Sequence, residues 1–220
     1  MDVEQRMREA GLPADSLFSR RAALPEPVEE LHRWALRTVA DTGQPPADAD
    51  LEERARALGL DLHGALAALA AAELLFVDQA LGRVLGGVPF AAGVTTHQVS
   101  VADGPTVSAN CAVDALGIGA MLGRDTDVRS ADPLTAEAVT ASQRGDEWTW
   151  EPPQAVVFVG SSGARRITDA CCPVINFFAS GSNADDYRDR HGLTGEVFSM
   201  PEAAVGGALV FGGLLAGPLS

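Results

Sequence analysis

The chain contains no lysine; all 16 of its basic residues are arginine. Without an ε-amine, Schiff-base catalysis and a lysine-dependent phosphate loop are excluded. Positive charge of any kind is scarce. Thirty acidic residues against 16 basic ones leave a formal net charge of −14, which opposes binding to a phosphate backbone. Long apolar runs are missing too: the longest, Ala203 to Gly217, is diluted by glycine and alanine and is too short to span a bilayer. The opening residues, Met1-Asp2-Val3-Glu4-Gln5-Arg6, show no apolar stretch of signal-peptide type. Cysteine is limited to three, an odd number. The expected compartment is therefore the reducing cytoplasm, where thiols serve chemistry or metal binding rather than cross-linking. Neither nucleic acid nor membrane is expected as a partner.

What remains is ordinary globular material. A hydrophobic fraction of 46% and a charged fraction of 21% over 220 residues allow a real core, with room for a small domain joined to a larger one. Residues 1–26 are polar, carry Pro13 and Pro25, and read as an arm or short helix with little core of its own. From Pro27, Val28, Leu31, Ala35 and Val39 recur at helical spacing until the breaker Gly43-Gln44-Pro45-Pro46. Leu51, Ala55 and Leu58 predict a second helix, and Leu62, Leu66 and Leu69 a third after Asp61. Leu74 to Asp78 and Arg83 to Leu85 read as a short hairpin. Three helices and a two-stranded wing outline a winged-helix-like module over 27–86. The helix in the recognition position, from Leu62 to Glu73, has no Arg, Asn or Gln to reach base edges, so the module is read as packing rather than DNA-binding. Residues 87–220 alternate strand-like runs (Gln98–Val101, Thr126–Ser130, Ala136–Ala141, Ala155–Val159) with helical stretches near Ala112–Leu122, Ala184–Arg190 and Pro201–Leu215. The fold class is α+β: the helical module, then a mixed α+β core with a short antiparallel sheet.

Two constellations carry chemistry. In Ser108-Ala109-Asn110-Cys111-Ala112-Val113-Asp114, a helix starting near Cys111 puts thiol and carboxylate on one face. A cysteine in a first turn capped by Ser108 or Asn110 meets unpaired N–H groups that favour the thiolate, and Asp114 reads as a proton shuttle. Alternatively, Cys111 is a small buried apolar residue and Asp114 an ordinary helix-N-terminal acid. The second constellation is Cys171-Cys172-Pro173-Val174-Ile175-Asn176-Phe177-Phe178-Ala179-Ser180, after the loop Gly160-Ser161-Ser162-Gly163 and Arg165-Arg166. On an extended backbone adjacent cysteines point opposite ways, so one of the two faces the site; the alternative is two buried cysteines beside an aromatic core segment. His32, His63, His97 and His191 lack metal-ligand spacing, and His97 alone leads towards Cys111. Trp148 and Trp150 share one face of a strand and are expected to cover core.

Together the two segments resemble the organomercurial (alkylmercury) lyases. The family's C-A-L-D motif, apolar helix and L-G-R turn correspond here to Cys111-Ala112-Val113-Asp114 and Leu122-Gly123-Arg124; its cysteine before H-F-F-A-S corresponds to Cys172 before Asn176-Phe177-Phe178-Ala179-Ser180. The likeness covers most of the chain beyond residue 27. It implies that Cys111 and Cys172 capture the mercury of an organomercurial substrate and hold it as product, while Asp114 protonates the departing carbon. Asn110, Cys171, Asn176 and Phe177 are then the expected substrate pocket. No dissociable cofactor is required; external thiols release the product, and mercuric ion passes to a thiol or a reductase. The chain is expected to act as a monomer or homodimer on a small-molecule substrate. Two positions depart from the pattern: Asn110 stands where the family has Trp, and Asn176 where it has His. These amides can alter substrate shape or donate hydrogen bonds to a polar substrate. Two rival readings follow: a relative acting on another small molecule in a biosynthetic pathway, and a non-catalytic soft-metal binder or sensor.

Overall fold

The structure, a computed structural model of the chain, describes residues 2–163 and 167–215. Its first half is helical: α1 (Val3–Glu9), α2 (Ser16–Ala22), α3 (Glu26–Thr42), α4 (Asp48–Ala57) and α5 (Leu62–Ala71), followed by the antiparallel pair β1 (Leu75–Asp78) and β2 (Arg83–Gly87). Local chemistry sets these bounds. Asp2 and Asp61 cap α1 and α5 by accepting from the amides of Gln5 and Gly64, and α3 ends where Gly43 takes a left-handed φ of 75°. The order of three helices and a hairpin over 27–87 follows the sequence expectation.

The second half comprises β3 (Gln98–Val101), β4 (Thr106–Ser108), α6 (Ala112–Leu122), β5 (Thr126–Ala131), β6 (Ala138–Arg144), β7 (Glu147–Glu151), β8 (Val156–Ser161), α7 (Ile167–Ala170), β9 (Asn176–Phe178), α8 (Gly181–His191), β10 (Thr194–Ser199) and α9 (Met200–Phe211). The strands form two antiparallel sheets, ordered β4-β3-β5-β6-β7 and β10-β8-β9. The chain is thus mixed α+β with small antiparallel sheets. In the three-stranded sheet, side chains of β8 serve both faces: Val157 and Val159 enter the main core, while Phe158 joins Phe178 and Ala184 of α8 in a separate apolar cluster.

Helix α6 is apolar all round because it is enclosed, touching α9, β3, β5, β8 and β9. Its approach to α9 depends on glycine. A Cβ on Gly117 would collide with the Phe211 ring and lie 2.8 Å from the Gly207 carbonyl oxygen. This buried, rigid helix carries the first chemical constellation at its N-terminus.

Two expectations need correction. The N-terminal stretch, read as an arm or short helix with little core of its own, is helical but does contribute core: Met7 and Leu17 are 1% and 2% exposed and belong to the main cluster. Arg6 ties α1 to the far end of the chain through Glu196 at 2.8 Å and Glu202 at 2.6 Å. Those partners are some 190 residues away, so no local pattern reveals them. Strand β6 begins at Ala138 rather than Ala136, because Ala136 sits in the preceding turn at a left-handed φ of 59°. Among the described residues, no helix is long and apolar enough to cross a membrane.

Candidate active site

The first constellation sits where β4 passes into α6. Ala109 bridges to Phe90, and the Asn110 amide donates to the Pro89 carbonyl at 3.1 Å, which fixes the chain just before the helix. Cys111 is itself the N-cap, extended at φ −152° and ψ 177°, and its Sγ accepts from the Asp114 N–H at 3.4 Å. The expected caps, Ser108 and Asn110, are otherwise engaged: Ser108 Oγ accepts from Gln98 Nε2 at 2.9 Å, and Asn110 Nδ2 donates to Pro89 O and Asp114 Oδ2. Cys111 and Asp114 are buried, 1% and 5% exposed.

The second constellation arrives through a turn rather than a strand. The amides of Val174 and Ile175 both donate to the Cys171 carbonyl at 3.0 Å, and Ile175 O accepts from the Ala112 N–H at 3.2 Å, which joins this turn to the start of α6. The turn separates the vicinal thiols. Cys171 Sγ is buried and faces the Gly11 carbonyl at 3.6 Å, whereas half-buried Cys172 joins the other group. One sulfur each from Cys111 and Cys172 and a carboxylate oxygen of Asp114 all lie within 4.8 Å of one another. Cys171, expected in the pocket, points instead towards the α1–α2 connection.

Burial dominates the electrostatics. It pushes the Asp114 carboxyl up from 3.8 to about 7, against hydrogen bonds from Asn110 and Cys111 that favour the ionised form. Burial likewise raises the Cys111 thiol well above its ordinary value, and a hydrogen bond with Cys172 and the charge of Asp114 push it the same way. The expectation that helix N–H groups stabilise a Cys111 thiolate is therefore reversed, since one N–H donor does not offset desolvation. In the free protein Cys111 therefore keeps its proton, and Asp114 is about half protonated at neutral pH.

Asn176 and Phe177, the other residues expected to line a pocket, lie around His97. Asn176, half-buried, donates from Nδ2 to Pro173 O at 3.3 Å and lies close enough to His97 and Tyr187 to influence both. His97 Nδ1 lies 2.9 Å from Ser130 Oγ, and its ring centroid is 5.8 Å from that of buried Phe177. Desolvation lowers the His97 pKa to about 4, so the imidazole is neutral. Among the described residues, the metal-capable group contains no histidine. Sequence reasoning missed Arg20 of α2, whose guanidinium donates to the carbonyls of Ala72 and Glu73 and lies within electrostatic reach of Cys172. It also missed the link between Asn110 and Asp114; their spacing of four across a helix start was the available signal. Arg165 and Arg166 lie outside the described residues.

The geometry can now be set beside known proteins. A family model described as MerB, alkylmercury lyase, matches residues 90–212, more than half of the chain. The chain belongs to the alkylmercury lyase family. Alkylmercury lyases of Bacillus cereus and Clostridium butyricum are each 28% identical to it over 176 residues, covering 79% of this chain and 79% of theirs. The crystal structure of the mercury-bound form of MerB2 aligns with a TM-score of 0.74 at 19% identity, covering 92% of this chain and 98% of that one, and shares its fold. The alkylmercury lyase match begins at Phe90, beside Pro89, and ends just past α9. It therefore contains Cys111, Asp114 and Cys172 and leaves out α1 to α5.

Proposed function

We propose that this family member is an organomercurial lyase that cleaves a carbon–mercury bond by protonolysis, with Cys111, Cys172 and Asp114 as its reacting groups. The observation that carries the reading is the gathering of two thiols and one carboxyl within 4.8 Å, from segments about 60 residues apart in sequence, at a largely buried site.

The roles follow from the chemistry of each group. One thiol attacks the substrate R–Hg–X, forming S–Hg, and its proton leaves with X as HX. Asp114, entering as the acid, gives its proton to carbon as the C–Hg bond breaks, and the second thiol bonds to mercury and returns its own proton to Asp114. In sum, two S–H bonds become two S–Hg bonds, and HX and R–H depart. Soft sulfur ligands suit mercury and weaken the bond to carbon. A carboxyl group near pKa 7 can both accept and donate a proton at neutral pH; general acid catalysis of this kind contributes on the order of 10²- to 10⁴-fold. No dissociable cofactor takes part. External thiols withdraw mercuric ion from the two sulfurs and pass it to a reductase or another thiol. The site is served by a winged-helix-like packing module over 27–86 and a catalytic portion over 87–220, in a cytoplasmic protein.

The test is phenylmercury with excess small thiol, with benzene release followed for the parent, Cys111→Ser, Cys172→Ser and Asp114→Ala. Benzene from the parent alone supports the reading. One observation favours a second reading: Asn110 and Asn176, where the family resemblance leads one to expect Trp and His, replace an aromatic wall and an imidazole with amides. A relative turned to another small substrate, or to soft-metal binding, retains mercury tightly and releases no benzene.

A further inference from the structure

Asn110 reaches across the start of α6 with both hydrogens of its amide in use. Nδ2 donates to the Pro89 carbonyl oxygen at 3.0 Å and to Asp114 Oδ2 at 3.1 Å. The Pro89 carbonyl fixes the orientation of that amide. Flipping it would set Asn110 Oδ1 against two acceptors, Pro89 O and Asp114 Oδ2, and lose both bonds. Pro89 is held in turn, since its carbonyl also accepts from the Asn110 backbone N–H at 3.1 Å.

This arrangement distinguishes the two oxygens of Asp114. In a carboxylic acid the carbonyl oxygen is the stronger acceptor and the hydroxyl oxygen carries the proton. The Cys111 thiol also reaches this carboxyl but is a weak donor, so the amide donor fixed on Oδ2 makes Oδ2 the carbonyl. We infer that Asn110 is a positioning residue that places the acid proton of Asp114 on Oδ1. That this proton is the one delivered to carbon rests on the lyase reading; its placement does not. Without Asn110 the proton exchanges between the two oxygens and the carboxyl loses its tether to Pro89, so fewer molecules at any instant hold the acid in the productive arrangement.

The variant to make is Asn110→Leu, similar in volume and without a donor, with Asn110→Ala beside it should Leu not be accommodated. Isotope-edited infrared spectra at mildly acidic pH locate the carbonyl stretch of protonated Asp114, identified by its loss in Asp114→Asn. The expected result is a move to higher frequency in the Asn110 variant, because the carbonyl oxygen has lost its donor; an unmoved band overturns the proposal. With phenylmercury, the Asn110 variant is expected to lose kcat by about tenfold to a hundredfold, with KM and stoichiometric retention of mercuric ion unchanged. Unchanged kcat in a parent that turns over also overturns it. If the parent itself releases no benzene, the lyase reading fails, and the infrared band alone decides where the proton sits.

Discussion

At the scale of single residues, the site is governed by burial acting on groups that hold protons. Asp114 has its carboxyl raised from 3.8 to about 7. The native state therefore keeps a proton that the unfolded chain releases between those values, and stability falls as pH rises through that window. Below about pH 4 both states are protonated and nothing is lost; above about pH 7 the loss is complete. Asp114→Asn removes the titration, so it is expected to be more stable than the parent above neutral pH by a few kcal/mol, since each pH unit between the two values costs roughly 1.4 kcal/mol. The advantage is expected to vanish at acidic pH, as denaturant melts at several pH values can measure. The same titration predicts turnover that declines above about pH 7 as the acid form of Asp114 disappears, measurable from a kcat profile. The vicinal cysteines differ in the same concrete way. Cys172→Ser is expected to abolish benzene release, whereas Cys171→Ser, whose sulfur faces Gly11 O, retains activity within about threefold, far less than the roughly 10²-fold or greater cost of losing a reacting group. Equal loss in both variants would contradict the assignment.

At the scale of elements, the α6–α9 contact decides how rigidly the Cys111–Asp114 turn is held. Gly117→Ala drives a methyl group into Phe211 and the Gly207 carbonyl, overpacking that costs about 1–3 kcal/mol and lowers Tm by roughly 2–12 °C. Calorimetry on the variant tests this. Much of the architecture was legible in the sequence because it is locally encoded. The apolar run from Ala112 to Leu122 matches α6 at both ends, and the alternation Gln98-Val99-Ser100-Val101 matches β3, with both valines buried. What escaped is encoded over distance. Strands β4 and β9 are three residues long, too short to display a period, and β10 is a strand because β8 pairs with it from Val156 to Ser161. The site divides in the same way. Cys111 and Asp114 could be named from their spacing at a helix start, and Cys172 from the resemblance to the alkylmercury lyases. That only one of the vicinal thiols faces the site follows the sequence reading, although a turn rather than an extended backbone parts them, and the reversal at Cys111 depended on burial, which spacing does not report.

At the scale of the whole molecule, the N-terminal helices close over the back of the site. Arg6 on α1 joins β10 and α9, the Gly11 carbonyl meets Cys171, and Arg20 on α2 lies within electrostatic reach of Cys172. Removing residues 1–22 is therefore expected to lower thermal stability and to open Cys171 to a thiol reagent. In the intact protein Cys172 is expected to react first and Cys171 slowly, an order that mass spectrometry after timed alkylation can read. The main cluster of buried apolar residues runs from Met7 to Leu215 through both halves of the chain, so the helical half supports a site whose reacting groups all belong to the other half. The central claim is that this site breaks a carbon–mercury bond with its own three groups, and a single turnover without external thiol tests it most directly. Phenylmercury mixed with a stoichiometric amount of protein should yield benzene in equal amount and leave inorganic mercury bound to Cys111 and Cys172. Mercury bound with its phenyl group still attached would contradict the account.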